Sequence, residues 1–152
     1  MNASTPLDLI QRLARDSSVN VRRAVASNTE IPVSIFSELS KDKSSSVREA
    51  IALNMKTPPK RLWQMIDDPD LVGYVARNQG LSLEMLRTLA ANTNPRIREI
   101  VAANPSTPEE ILFVLARDKD SGVKKVFWQL RSDLSTFLRF SQKTLTPRCA
   151  LI

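Results

Sequence analysis

The residues able to do chemistry in this 152-residue chain are mostly charged side chains. It holds 22 Lys and Arg, 16 Asp and Glu, one Cys and no His. Those counts exclude a Cys/His metal site and a framework of intramolecular disulfides. Asp67, Asp68 and Asp70 cluster, and close carboxylates could share acid–base work or hold a cation. An Asp-Asp-Pro-Asp turn is more often a helix cap. There is no Gly-rich phosphate loop and no nucleophile with an adjacent base. The reading is a chain that is no enzyme, with no cofactor and no metal.

The cations show more order than the acids. Arg22, Arg48, Arg98 and Lys124 each lie six residues past Asp16, Asp42, Asn92 or Asp118. One reading is structural: the Asp caps a helix and pairs with an Arg of its own or the neighbouring unit. The other is a basic ladder facing the phosphates of a nucleic acid or an acidic partner. The net charge of +6 is spread along the chain, with no single basic block.

These residues recur because the chain recurs. Aligning on the residue that opens a helix gives Pro6, Pro32, Pro58, Ser82 and Pro108, at spacings of 26, 26, 24 and 26. Ten residues on stand Asp16, Asp42, Asp68, Asn92 and Asp118, and the units close on Asn28, Asn54, Asn78, Asn104 and Leu130. The cleanest copy is 104–118. There Thr107 is the expected N-cap, Pro108 the first helical residue, and Glu109 and Glu110 favour the positive end of the helix dipole. Ile111, Leu112, Leu115 and Ala116 follow at helical spacing.

Each unit carries a second, shorter apolar run, such as Val21, Ala24 and Val25 or Ile97, Ile100 and Val101. It is expected to be a helix of about two turns or a 3₁₀-like segment. Small residues at Ala26, Ala52, Ala76 and Ala102 let units approach closely. An Asn closing each unit can take the left-handed conformation and bond helix-end carbonyls or the next unit. Hairpin signals are lacking. The chain therefore reads as all-α, a solenoid of about five two-helix repeats with a period of 24–26 residues. Repeats fill 1–130, and 131–152 hold a capping helix, at 131–145, and a tail.

The pattern Thr-Pro-x-x-x-Leu-x-x-Leu-Ala-x-Asp, then Val-Arg-x-Ala-Val-Ala-x-Asn, resembles the leucine-rich repeat variant family. Thr5 to Asn28 and Thr107 to Val126 match it best, and the resemblance spans 5 to about 130. It implies a HEAT-like right-handed superhelix of alternating α and 3₁₀ helices, found mostly in bacteria. Some members carry an iron–sulfur cluster on an N-terminal Cys-rich segment. This chain has one Cys, at position 149, so no cluster carries over.

Function in a repeat protein is expected where the repeat departs from itself. Repeat three has lost two residues between Asp68 and Leu71. Arg61 replaces an aliphatic residue, Trp63 a small or polar one, and Val72 the ladder Arg. Trp63 and Phe113, at equivalent positions two units apart, read as aromatic anchors for a protein partner, with Tyr74, Arg61 and Arg77 nearby. Local repacking around the shortened loop is the competing account. A protein partner leads and nucleic acid is the alternative.

The tail Cys149-Ala-Leu-Ile152 fits the C-a-a-X prenylation pattern, which would bring the chain to a membrane only inside a eukaryotic host. Coincidence is the simpler account. Met1-Asn-Ala-Ser-Thr-Pro shows neither a basic nor an apolar leader region, and no apolar run reaches about 18 residues. With a single Cys, a reducing cytoplasm is expected.

Overall fold

The structure, a computed structural model, describes residues 7–131. Among them every regular element is an α-helix. Helices alternate between a first and a second position in each repeat. The pairs are α1 (Leu7–Ala14) and α2 (Val19–Ser27), α3 (Val33–Leu39) and α4 (Ser45–Leu53), α5 (Pro59–Ile66) and α6 (Val72–Arg77), α7 (Leu83–Ala90) and α8 (Pro95–Ala103), and α9 (Glu109–Leu115) and α10 (Ser121–Arg131). The predicted cap at 131–145 and Cys149 lie outside the described residues.

Of the two forms expected for the second helices, helix and 3₁₀-like segment, the structure takes the first. They are α-helices, and α2, α4 and α8 run nine residues each, longer than the first helices of their repeats. An isolated nine-residue helix is marginal in water. Here each buries its apolar stripe against the next, and the most extensive inter-repeat packing joins α2 to α4 and α8 to α10. Only α6, in the shortened repeat, is reduced to six residues.

The core is continuous from Ile10 to Val123. First helices contribute rows such as Leu39, Met65, Leu89 and Leu115; second helices contribute Val47, Ile97 and Val123, with Leu71 in the same row just before α6. Ala26, Ala52, Ala76 and Ala102 are buried between neighbouring second helices, where a larger side chain would hold the repeats apart. No helix among the described residues is long and apolar enough to cross a membrane.

Three local expectations change. Pro108, with φ −64° and ψ 154°, is itself the N-cap of α9. Its carbonyl accepts from the Ile111 and Leu112 amides. Thr107 turns back instead and donates its hydroxyl to the Val101 carbonyl at 2.6 Å, as Thr57 does to Ile51. The Asp row does not supply the N-caps either. Asp16, Asp42 and Asp118 each accept the amide two residues on at 2.8 Å, and Asp68 does so at 2.9 Å, turning the chain into the second helix. The closing Asn residues are extended, not left-handed; Asn28 has φ −76° and ψ 127°. That conformation aims the amide across the repeat boundary.

Candidate functional site

Because the repeat period returns each residue to the same place on the helix, equivalent positions form rows across the array. The Asn row faces inward. Asn54 donates to the carbonyls of Ala26 and Asn28 at 2.8 and 3.0 Å, Asn78 to Ala52 and Asn54 at 2.7 and 2.9 Å, and Asn104 to Ala76 and Asn78 at 2.8 and 3.0 Å. Each Asn oxygen also accepts the amide two residues on. The row satisfies carbonyls that helix ends leave orphaned and stitches each repeat to the one before.

The Arg row is also largely internal. Arg22 is 5% exposed and grips Asp42 of the next repeat through two bonds, Nε to Oδ2 at 2.7 Å and Nη2 to Oδ1 at 3.0 Å. Its Nη1 donates to the Asp16 and Ser17 carbonyls. Arg98 repeats the arrangement on Asp118, at 2.7 and 2.8 Å. Hydrogen bonding from the guanidinium holds both carboxyls below the usual aspartate range, against the opposing effect of burial. The ladder is therefore not an open basic stripe at Arg22 and Arg98. Arg48 and Lys124 are half-buried. At repeat three both members of the pair are gone together, Val72 for the Arg and Asn92 for the Asp twenty residues on. Losing both leaves neither charge buried alone.

The residues expected to form one partner site are divided. Arg61 and Trp63 lie on α5 and Phe113 on α9, in the layer of first helices. Arg61 occupies a row that is buried at Ile35, Met85 and Ile111, and it escapes by reaching to Ser37 of α3. Trp63 is half-buried and packs against the core, so it is no free anchor; Phe113 is 36% exposed. Tyr74 and Arg77 belong to the other layer, on α6. There the Arg77 guanidinium lies over the Tyr74 ring, 5.8 Å from its centre.

That second layer carries a surface not expected from the sequence. Ala24, Ala50, Tyr74, Ile100 and Val126 form one row on the second helices. Ala24 is exposed and the other four are half-buried. Side chains grow from Ala in the first two repeats to Tyr, Ile and Val in the last three. Beside this seam, Gly73 stands where other repeats carry Arg23, Glu49, Glu99 and Lys125. A groove of about 310 Å³ opens along it, lined by Arg77, Arg96, Ile100, Pro105 and Val126 among others. Arg96 is engaged with Glu99 at 2.7 Å, whereas Arg77, among the described residues, bonds only its own helix, to the Gly73 carbonyl at 3.4 Å. The signal available in the sequence was the change of size along the row.

Among the described residues, no group of three or more Asp, Glu or Cys is placed to hold a metal. A search of curated proteins returns no match. The family model described as leucine rich repeat variant matches residues 95–120, which contain α8 and α9. A solved structure described as "a leucine-rich repeat variant with a novel repetitive protein structural motif" superposes with a TM-score of 0.58. It is 24% identical and matches 95% of this chain and 67% of that one. The chain is thus an α-helical repeat array similar in fold to that leucine-rich repeat variant structure, with one stretch, 95–120, that matches the family's repeat.

Proposed function

We propose that this chain is a non-catalytic scaffold that binds a segment of a protein partner along its second-helix face, starting at the divergent repeat three. The observation that carries the reading is the seam of Tyr74, Ile100 and Val126, partly solvent-facing beside an open groove with Arg77 at its edge. A repeat array offers a long surface on which successive apolar side chains can seat. The complementary segment carries apolar residues for the seam and a carboxylate for Arg77.

Nucleic acid fits less well. A phosphate-tracking groove needs a run of free cations. Arg22 and Arg98 are spent on Asp42 and Asp118, and Val72 interrupts the row between them.

A photo-crosslinking amino acid placed in turn at Ile100, at Val126 and at Leu83 on α7 tests the reading in the native host. Adducts with one protein from Ile100 and Val126, and none from Leu83, are expected. Adducts from Leu83 alone, or adducts only with nucleic acid, would overturn it.

A further inference from the structure

We infer that the junction between repeats two and three is a binding site for a single oxyanion, the group shared by carboxylates and phosphates. Two junctions of the array keep a closed ion pair. At each, an Arg presents its Nε and Nη2 edge to a carboxylate twenty residues on, Arg22 to Asp42 and Arg98 to Asp118. Arg48 is the same position in repeat two, and Asp68 is its counterpart at the same spacing. Arg48 keeps the backbone half of the arrangement, Nη1 to the Asp42 carbonyl at 2.8 Å. Among the described residues, its Nε and Nη2 edge has no carboxylate partner.

The cause lies in the chain. The two residues missing from repeat three come from the loop just after Asp68. That loop now runs straight into α6, with the Val72 amide bonded to the Asp68 carbonyl at 2.9 Å. In place of a closed ion pair there is a cleft of about 280 Å³. Lys41, Arg48, Arg61, Gln64 and Asp68 are among its lining residues.

Arg61 is the second departure, and it acts in the same place. It stands in an otherwise aliphatic row and turns its guanidinium into this junction. Ser37 and Gln64 hold it there by bonds of 2.6 to 3.0 Å. Three cations thus face one acid in a half-enclosed space, and the Arg48 edge left free is the one that takes a carboxylate elsewhere in the same molecule. A guanidinium fork matches carboxylate and phosphate oxygens alike. The site lies at the turn between first and second helices, separate from the groove lined by Arg77 and Ile100, and does not depend on it.

The test is a titration of the full chain, watching the arginine Nε–Hε resonances by NMR. Inorganic phosphate and acetate are added in separate arms at constant ionic strength, with chloride as the control. The expected result is saturable shifts at Arg48 and Arg61, with a Kd on the order of 1 mM, and none at Arg22 or Arg98. The stronger arm identifies phosphate or carboxylate as the preferred group. Arg48→Gln weakens binding about tenfold or more. Asp68→Asn, which removes the competing acid and keeps Arg48 in place, strengthens it. Shifts that fail to saturate, that chloride reproduces, or that appear equally at Arg22 and Arg98 would overturn the site. None of these outcomes involves a protein partner, so they leave the reading of the second-helix face to its own test.

Discussion

Arg22 of the first repeat and Asp42 of the second meet fork to fork, at 2.7 and 3.0 Å, with each side chain less than a tenth exposed. Asp42 also accepts the Ser44 amide at 2.8 Å. One carboxylate therefore sets the turn into α4 and ties two repeats together. Asp118 does the same for Arg98 and the Asp120 amide.

The pair makes stability depend on acid. Hydrogen bonding to Arg22 and Arg98 lowers the folded pKa of Asp42 and Asp118. Their stabilisation is then present above the unfolded aspartate value of about 4 and is lost as pH falls through the folded value. The arginines stay charged throughout and add no slope there. Urea midpoints should fall between about pH 5 and pH 2, and the Asp42→Asn, Asp118→Asn double variant should show a flatter fall. Equal slopes would mean that these carboxylates are not linked to folding.

Asn78 should be among the most costly polar residues to truncate. Asn78→Ala removes donors to two buried carbonyls and the acceptor for the Gly80 amide. Leaving those groups unpaired costs about 2–4 kcal/mol. Asn28 is exposed, and among the described residues its side chain bonds only the Glu30 amide, which it accepts. Asn28→Ala should cost less than about 1 kcal/mol. Chemical denaturation of the two variants checks the contrast.

Two glycines should respond with opposite sign. A Cβ at Gly80 would sit 2.4 Å from the Met55 carbonyl oxygen, so backbone must move. Gly80→Ala is expected to destabilise by about 1–3 kcal/mol. A Cβ at Gly73 would meet Ile100 at 3.8 Å, an ordinary contact. Gly73→Ala is expected to stabilise α6 by about 0.5–1 kcal/mol. It also narrows the groove beside Ile100, so partner binding should weaken while the melting temperature rises.

Much of this architecture was legible because period is a one-dimensional property. Pro32, Pro58, Ser82 and Pro108 mark four helix starts, and each proved to be an N-cap. The periodicity of the Asn row marks it as structural, but its geometry is not visible in the sequence. An extended Asn54 bonding Ala26 depends on how repeats stack, and stacking is not written in local propensity. That the Asp row pairs with the Arg row is expected from the sequence; whether within a unit or with its neighbour depends on the same stacking. Asp16 is six residues from Arg22, yet the carboxylate that grips Arg22 is Asp42, twenty residues on.

The expected site failed to assemble for a related reason. Trp63 and Tyr74 are close in sequence but belong to different helix layers. Arg61 stands out in the sequence as a charge in an otherwise aliphatic row. That it reaches Ser37 and shares a cleft with Arg48 required the fold.

Charge placed in the seam should separate binding from folding. Ile100 is half-buried at the groove wall. Ile100→Asp should abolish partner capture and cost no more than about 1–2 kcal/mol of stability. Leu83→Asp, at the exposed start of α7, should leave capture intact. Loss of capture in the second variant but not the first would place the interface on the first-helix layer.

The most direct measurement is amide hydrogen exchange of the chain, free and with the crosslinked partner bound. The account predicts added protection in α6, α8 and α10, strongest around Tyr74 and Ile100, with α3, α5 and α7 unchanged. Protection confined to α3, α5 and α7, with α8 exchanging as in the free chain, would contradict it.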